Sequence, residues 1–236
     1  MLAPMSEVAG RLAVIEGASH LKANVGGRGV LISGVPGTAA ADVIVIGGGV
    51  VGMNAAKMAV GLGAKVTVFD KSLPRLRYLA DIFGNALTTR YASHTALELA
   101  ITTADLIIGA VLVPGATAPK LINLDQLQTM QSGAVLVDVA IDQGGCFESS
   151  RPTTHDDPTF IVDHIVHYCV ANMPGSVPRT SSEALNNATL PYVLALADHG
   201  FAALDKDPDL ANGLNVFGGK IMHKAVLDAL AGHDAA

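Results

Sequence analysis

One stretch, Asp42 to Asp70, constrains the fold more than any other part of the chain. It opens with an apolar run, Val43 to Ile46, that is typical of a buried parallel strand. The three glycines of a G-x-G-x-x-G pattern follow at once, at Gly47, Gly49 and Gly52. The first glycine of this pattern allows a tight turn, the second lets the backbone approach a pyrophosphate, and the third lets the next helix pack on its strand. The stretch therefore predicts a strand that leads into a phosphate-binding loop.

The residues after this loop complete a nucleotide-binding unit. A helix is predicted from about Val50 to Leu62, and its first N–H groups would face the phosphates. Gly63 ends that helix, and Lys65 to Phe69 form a second strand. Asp70 stands at the end of this strand, where a carboxylate can bind the hydroxyls of an adenosine ribose. The complete order of strand, loop, helix, strand and acid favours this interpretation over a glycine-rich surface turn.

The alternation of strands and helices continues after Asp70, which implies right-handed crossovers. The predicted fold is therefore α/β, a doubly wound parallel sheet of the Rossmann type. We predict helices at Pro74–Phe83, Thr95–Ala100 and Leu124–Met130, and strands at Ala86–Tyr91, Leu106–Val111 and Ala134–Val139. Ligands of such sheets bind at the carboxyl ends of the strands. Those ends include Tyr91–Ser93, Val111–Gly115 and Ala140–Gly145.

The flanking segments have different patterns. Met1 to His20 has helical spacing, and the glycine-rich Asn24 to Gly37 predicts a loop or a small hairpin. Polar loop formers fill Asp142 to Pro158. Later elements are two strands, Phe160–Val162 and Ile165–Val170, a long helix, Val177–His199, and two shorter helices within Asp209–Ala231, joined by Phe217-Gly218-Gly219.

Composition excludes several classes of protein. The net charge of −6 comes without a basic cluster, so nucleic acid is not an expected partner. The longest apolar candidate, Leu106 to Val113, stops at Pro114, short of the roughly 18 residues of a membrane span. Cys146 and Cys169 are only two thiols in a long chain, which indicates free cysteines in a reducing cytoplasm.

Several long strings of residues resemble the alanine dehydrogenase family, which also includes the NAD(P) transhydrogenase alpha subunit. These segments are SEVAGRLAV (Ser6–Val14), GGRGVLISGVPG (Gly26–Gly37), GGGVVGMNAAKMAVGLGA (Gly47–Ala64), GAVLVPGATAPKL (Gly109–Leu121), VDVAIDQGGCFESSRPTTHDDP (Val137–Pro158), HYCVANMPGSVPRTSSEAL (His167–Leu185) and NATLPYVLALADHG (Asn187–Gly200). The resemblance implies an NAD-dependent L-alanine dehydrogenase, which converts L-alanine reversibly to pyruvate and ammonia.

The resemblance also implies a domain layout. Residues 1–25 would be a hinge helix, residues 26–176 the NAD-binding Rossmann domain, and residues 177–236 helices that return to a substrate domain. Most of that N-terminal substrate domain would lie outside this chain, so we expect the chain alone to have little activity. The family assembles into hexamers, and a dimer is the smaller alternative for this chain.

Carried over by position, the resemblance places a set of residues around NAD. They are Ser6, Val50, Val51, Asp70, Arg75, Val111, Leu112, Val139, Asp142, Arg151, Val170, Ala171, Asn172 and Met173. Arg75 stands where many relatives have lysine, and Ala92 where they often have a serine near the adenine. Asp142 matches the active-site aspartate of the family and would be catalytic; the alternative is that it caps the Gly144-Gly145 turn.

Three other groups of residues could suggest a metal site, a nucleophile or a 2′-phosphate site. His155-Asp156-Asp157 with His164 and His167 contains metal-ligand residue types, but the two later histidines, three apart in a strand, would point to opposite faces. No metal site is therefore expected. No sequence spacing links Cys146 to a general base, so Cys146 is expected to be an inert thiol. Lys71 and Arg75 suggest a 2′-phosphate site, which the carboxylate of Asp70 would oppose.

Two other function classes remain open. An AdoMet-dependent methyltransferase also has a glycine-rich first turn and an acid after its second strand, although G-x-G-x-x-G suits a pyrophosphate better. A non-catalytic NAD-binding or assembly module fits the same motif. Protection against heat by NAD rather than by AdoMet would distinguish a dehydrogenase from a methyltransferase. Substrate-dependent turnover would distinguish a dehydrogenase from a non-catalytic module.

Overall fold

A seven-stranded sheet organises the first part of the chain. The structure is a computed structural model that describes residues 3–111 and 118–231. The strands are β1 (Asp42–Ile46), β2 (Lys65–Asp70), β3 (Thr88–Tyr91), β4 (Leu106–Gly109), β5 (Val135–Asp138), β6 (Thr159–Val162) and β7 (Ile165–Tyr168). Their order is β3-β2-β1-β4-β5-β7-β6. All neighbours are parallel except β6 and β7. The predicted doubly wound α/β fold is thus confirmed, with one antiparallel edge strand.

Alternate residues of the strands feed two separate cores. In β1, Val43 and Val45 pack into one core, and Ile44 and Ile46 pack into the other. This is the period of two that a strand imposes on its side chains. Because both faces are covered, the central strands consist almost wholly of buried apolar residues, which explains why they could be recognised as continuous apolar runs.

Helices cover both faces of this sheet. They are α1 (Ala3–His20), α2 (Val50–Gly61), α3 (Leu73–Phe83), α4 (His94–Ile101) and α5 (Leu124–Leu127). Buried residues of α1, α2 and α3 join the first core, and those of α4 and α5 join the second. Helix α1 packs closely on α2 at Gly10, where the lack of a side chain permits the contact. A Cβ at this position would collide with the carbonyl of Val51. The first helix is therefore an integral part of the nucleotide-binding unit.

The antiparallel edge was not predicted. Strands β6 and β7 form a hairpin in which Val162 pairs with Ile165. The two turn residues, Asp163 and His164, have φ values of 47° and 64°. Two positive φ values in a two-residue loop reverse the chain with the twist of a hairpin. No glycine marks this turn, so the sequence carried only the weaker signal that Asp tolerates such a backbone.

Helix α5 is shorter than predicted. It begins with a capping box between Asn123 and Gln126 but ends at Leu127 rather than Met130. Beyond Leu127 the N–H groups of Gln128 and Thr129 bond to carbonyls three residues back, so the chain continues as tight turns.

The second part of the chain, from Ser182 onward, groups as a unit of its own. Its elements are the rest of α6 (Pro178–His199), α7 (Ala202–Lys206), α8 (Pro208–Ala211), β8 (Val216–Phe217), β9 (Lys220–Ile221) and α9 (Lys224–Ala231). The predicted link at Phe217-Gly218-Gly219 is in fact a hairpin, because Gly218 and Gly219 have φ values of 55° and 75° and pair β8 with β9. The predicted division at residues 25 and 176 stays a prediction.

Among the described residues, no helix is both long and apolar enough to cross a membrane.

Candidate nucleotide site

An extended cleft lies at the carboxyl ends of the central strands, where the strand order reverses between β1 and β4. It consists of a larger cavity of about 640 Å³ and a smaller one of about 290 Å³. The two cavities share part of their walls, at Ser6, Val51, Ala110 and Val111. Such a crevice is the usual ligand site of an open α/β sheet.

The glycine-rich turn forms the floor of the larger cavity and has the geometry that the pattern predicts. Gly47 has a φ of 101°, and a Cβ there would lie 2.6 Å from the carbonyl oxygen of Ala110. A Cβ on Gly52 would collide with the carbonyl of Gly47. Gly49, in contrast, has open space beside it and lines the cavity just before α2 begins. The turn therefore leaves backbone accessible at the N-terminus of α2, where an anion is stabilised.

Asp70 lies at the end of β2 and lines the larger cavity. Its Oδ2 accepts a hydrogen bond from the N–H of Gly48 at 2.7 Å, and its Oδ1 accepts one from the N–H of Ser72 at 2.7 Å. These bonds tie the carboxylate to the glycine-rich turn. Asp70 thus holds the turn and also presents negative charge to the cavity.

Arg75 packs beneath the same turn, outside the cavity wall. Its Nε donates to the carbonyl of Gly48, and one of its terminal nitrogens lies 3.3 Å from the carbonyl of Gly49. The guanidinium carbon lies 4.7 Å from the centroid of the Tyr78 ring. The cation therefore supports the phosphate loop from behind and adds positive potential close to it.

The smaller cavity is lined by residues that follow β4, β5 and β7 and by residues of α1 and α2. Of the predicted set, those that line it are Ser6, Val51, Val111, Val139, Asp142, Val170, Asn172 and Met173. Its wall is mostly apolar, and Asp142 is its one carboxylate among the described residues. Asp142 lies exposed in a short 3-10 helix, Ile141–Gln143, directly after β5.

The turn after Asp142 is held by a different aspartate. The carboxylate of Asp138, which is fully buried, accepts hydrogen bonds from the N–H groups of Ala140 at 3.0 Å and Cys146 at 2.8 Å. Ser150 also donates its hydroxyl to Asp138. Asp138 therefore holds the residues on either side of the Gly144-Gly145 turn, whose own N–H groups bond to the carbonyls of Ile141 and Ala140. Asp142 lines the cavity, and its catalytic role stays a prediction.

Some predicted residues lie elsewhere. Gly52 and Arg75 support the turn, and Ala171 is exposed beside the smaller cavity without lining it. Arg151 is exposed and places its guanidinium carbon 4.3 Å from the centroid of the Phe160 ring. Leu112 lies outside the described residues.

Several wall residues were not predicted. The larger cavity includes Lys71, Ala92, Pro119 and Leu121, and the smaller one includes Met5, Ala9, Gln143 and Pro174. Most are small or apolar residues without a motif, so only the strand ends indicated their region. Ala92 lies where the resemblance expected a serine, and Ser93 caps α4 by accepting from the N–H of Ala96.

The thiols near this site are unreactive by environment. Burial raises the pKa of the Cys146 thiol well above its usual range, and the neighbouring Asp138 carboxylate adds to the shift. Burial, and then Asp138, raise the pKa of Cys169 to about 12. Both thiols stay protonated at neutral pH, which agrees with the expectation that Cys146 is inert.

One polar atom at the smaller cavity lacks a partner. Gln143 lines this cavity, and its Oε1 is buried without a hydrogen bond from any described residue. A buried acceptor without a donor costs about 1–3 kcal/mol. The amide of Gln143 therefore suits a ligand or a water that carries an N–H or O–H group.

Three features define a dinucleotide-binding domain of the Rossmann class. They are the glycine-rich turn, Asp70 at the end of β2, and the cleft where the strand order reverses. The family model described as "Alanine dehydrogenase/PNT, C-terminal domain" matches residues 13–224. The chain belongs to this family.

Individual relatives agree with the family match. The chain is 62% identical to the alanine dehydrogenase of Halomonas elongata over 97% of this chain and 62% of that protein. It is 60% identical to the alanine dehydrogenase of Mycolicibacterium smegmatis over 96% of this chain and 61% of that protein. The chain thus spans about three-fifths of the length of these curated relatives.

Solved structures give the same result for the fold. A solved L-alanine dehydrogenase superposes with a TM-score of 0.94 at 52% identity, over 98% of this chain and 64% of that one. A transhydrogenase from Sinorhizobium meliloti has a TM-score of 0.73 at 24% identity, over 95% of this chain and 61% of that one, and shows the fold alone. Members of the matched family are NAD-dependent oxidoreductases, and this C-terminal domain is their NAD-binding domain. The predicted family, fold and cofactor are confirmed.

Proposed function

We propose that this chain provides the NAD-binding part of an L-alanine dehydrogenase, which converts L-alanine, NAD and water reversibly to pyruvate, ammonia, NADH and a proton. The observation that carries the proposal is the cleft itself. It has Asp70 and the glycine-rich turn at one end and Asp142 at the other, joined by walls common to both cavities. The identity to alanine dehydrogenases supports this choice of substrate.

The larger cavity suits the adenosine and pyrophosphate part of NAD. Its volume of about 640 Å³ falls within the usual range for cofactor pockets. We propose that Asp70 binds the ribose hydroxyls and that the backbone at Gly47, Gly49 and Val50 binds the pyrophosphate. Gly52 keeps α2 close to this turn, and Arg75 supports it.

The smaller cavity suits the nicotinamide half. Its residues fit a flat ring with one polar edge, because most of its wall is apolar and the amide oxygen of Gln143 has no hydrogen-bond partner among the described residues. We propose contacts from Ser6, Val51, Val111, Val139 and the segment Val170–Met173, with Ala171 included. Leu112 and Arg151 complete the proposed set.

NAD, when bound, supplies the acceptor for the hydride of the alanine carbon. The residues of the chain then have three tasks. Apolar walls at Val139 and Val170 exclude water from the ring, and Ser6 and Asn172 orient polar groups at the edge of the cavity. The Asp142 carboxylate is proposed to take a proton from the water that attacks the imine and to return one to the departing amine.

Two further properties concern the assembly and the location of the protein. We propose a homo-oligomer, supported by exposed apolar side chains on the helix α6, such as Leu190, Val193 and Leu194. We also propose a cytoplasmic location, supported by two buried free thiols, Cys146 and Cys169.

The competing classes make different predictions for the same protein. A non-catalytic module would bind NADH without alanine-dependent turnover, and a methyltransferase would be protected against heat by AdoMet rather than by NAD. The glycine-rich turn favours a dinucleotide, because Gly49 leaves space for a pyrophosphate at the start of α2.

The deciding experiment measures alanine-dependent reduction of NAD. The assay uses the 236-residue chain and a fusion that adds the part of the Halomonas elongata enzyme outside the matched region, with heat protection by NAD and AdoMet measured in parallel. We expect NAD protection, and turnover by at least the fusion. NAD protection without turnover by either protein would favour the binding module, and protection by AdoMet alone would overturn the assignment.

A further inference from the structure

The loop that carries Asp142 is held on one side by Asp138. This loop, residues 139–147, follows β5, and four of its side chains line the smaller cavity: Val139, Ala140, Asp142 and Gln143. Asp138 accepts from the N–H groups of Ala140 and Cys146, as described above, and more weakly from that of Phe147 at 3.4 Å. One buried carboxylate thus fixes the N–H groups at both ends of the loop.

On the other side the carbonyl groups of the same loop converge on a cation. Lys120 donates from Nζ to the carbonyl oxygens of Gly144 at 2.7 Å, Gly145 at 2.8 Å and Phe147 at 3.2 Å. An ammonium group has three donors, so these three carbonyls use all of them. Gly144 and Gly145 both have positive φ values, 85° and 74°, and this backbone directs their carbonyls toward one point.

Backbone pairing keeps Lys120 in register with the loop. The N–H of Ala118 donates to the carbonyl of Gln143 at 3.1 Å, and that of Leu121 donates to the carbonyl of Cys146 at 2.7 Å. The segment around Lys120 therefore runs beside the loop from Gln143 to Cys146. Lys120 is exposed, but its ammonium group contacts three carbonyls of the loop, and hydrogen bonds from a charged donor are stronger than neutral ones.

We propose that Lys120 is a positioning residue for the nicotinamide half of the site. It would act through the loop, fixing Val139, Asp142 and Gln143 at the wall of the smaller cavity, and would itself touch no ligand. This inference rests on the proposed function. Asp138 binds only N–H groups, and the backbone pairing holds only the carbonyls of Gln143 and Cys146. Without Lys120 the carbonyls of Gly144 and Gly145 could rotate into solvent and shift the short helix that carries Asp142.

The test compares two ligands that differ only in the nicotinamide. NADH fills both cavities under the proposed function, whereas ADP-ribose fills only the larger one. Lys120→Met keeps the length of the side chain and removes the charge and the donors. Lys57→Met, at an exposed position of α2 outside both cavities, is the matched control.

Affinities are measured by calorimetric titration of the purified chain. We expect Lys120→Met to weaken NADH binding about five- to tenfold, the value of one ordinary net hydrogen bond, and to leave ADP-ribose binding within about twofold. Lys57→Met should change neither affinity. An equal loss for both ligands, or no change for either, would overturn the proposal.

The same series separates this inference from the proposed function. A wild-type chain that binds neither ligand, or binds NADH no more tightly than ADP-ribose, contradicts the proposed use of the two cavities, and the role of Lys120 falls with it. Amide hydrogen exchange provides a second measurement without any ligand. Lys120→Met should accelerate exchange within residues 140–147 and leave β1 and β4 unchanged, and an unchanged loop would refute the positioning role.

Discussion

Asp138 and Asp142 belong to one loop but have opposite surroundings. Asp138 is fully buried and receives hydrogen bonds from backbone N–H groups and from Ser150. Asp142 is exposed at the wall of the smaller cavity. A carboxylate whose bonds are all taken by the protein serves structure, whereas one that faces a cavity is available for proton transfer.

We predict that Asp142→Asn lowers turnover by about a hundredfold or more, the usual contribution of general acid–base catalysis. NADH affinity should stay within a few-fold, because the variant keeps size and hydrogen bonding at the cavity. The measurement is alanine-dependent NAD reduction by the fusion, beside NADH titration, with Asp81→Asn on the exposed side of α3 as the control. Near-normal turnover by Asp142→Asn would show that the chemistry lies elsewhere.

His167 is a buried residue whose ionisation is coupled to folding. The carbonyl of Ile165 lies 2.9 Å from its Nδ1 and can only accept, so Nδ1 carries the proton and Nε2 accepts from the Ser149 hydroxyl at 2.7 Å. Phe160 stacks on the ring at 4.8 Å between centroids. Burial lowers the pKa of His167, against the opposing effects of the Ile165 hydrogen bond and of Asp138.

A lowered pKa in the folded state gives a definite direction to the pH dependence. Above the unfolded value of about 6.5 the imidazole is neutral in both states, so its stabilising contribution is complete. Below that value the unfolded chain binds the proton first, and stability falls by at most about 1.4 kcal/mol per pH unit until the folded pKa is reached.

The measurement is thermal unfolding of wild type, His167→Gln and the exposed control His155→Gln between pH 8 and 5.5. We expect the wild type and the control to lose about 2–4 °C in Tm per pH unit below pH 6.5. His167→Gln should have a lower Tm throughout but a flatter slope. Equal slopes in all three proteins would mean that His167 does not contribute to this dependence.

At the scale of elements, the unit β1–turn–α2–β2 was predicted almost to the residue. Its signals are local: an apolar run for β1, three glycines with separate steric tasks, and Asp70 where β2 ends. The strand at β6 and the helix at α5 were predicted, but the antiparallel pairing of β6, the early end of α5 and the β8–β9 hairpin were not. Turn geometry and tight capping decide those elements, and Asp163 and His164 adopt positive φ without the glycine that usually signals it.

The contact of α2 with its strand gives an element-scale prediction. Gly52→Ala should destabilise the protein by about 1–3 kcal/mol, the usual cost of overpacking, because its Cβ would collide with the carbonyl of Gly47. Gly61→Ala, in the last turn of the same helix, has no atom within 4 Å of its added Cβ. It should raise stability by about 0.5 kcal/mol, since alanine is the better helix former.

Chemical unfolding at equilibrium measures both glycine variants. NADH binding should weaken in Gly52→Ala and remain unchanged in Gly61→Ala. If both variants are destabilised to the same extent, the collision with the carbonyl of Gly47 does not account for the loss of stability in Gly52→Ala.

At the scale of the whole molecule, the strand order turns local patterns into one site. Ser6, Gly47, Val111 and Asp142 are far apart in the sequence, and they meet because the order reverses between β1 and β4. The region of the site could be predicted from the strand ends alone. Two features of the site depend on tertiary contacts that no local pattern encodes. Helix α1 contributes to both cavities, and Asp138 and Lys120 bind the same loop.

We propose that Asp70 and the glycine-rich turn select an unphosphorylated adenosine ribose. The carboxylate faces the larger cavity and is held in place by the N–H groups of Gly48 and Ser72. A phosphate at the 2′ position would meet this negative charge at close range, whereas free hydroxyls can donate to it.

Calorimetric titration of the chain with NADH and with NADPH measures this selectivity. We predict that NADH binds at least about tenfold more tightly, a difference of about 1.4 kcal/mol, and that Asp70→Asn narrows the gap. Equal binding of the two cofactors by the wild type, or tighter binding of NADPH, would contradict the claim.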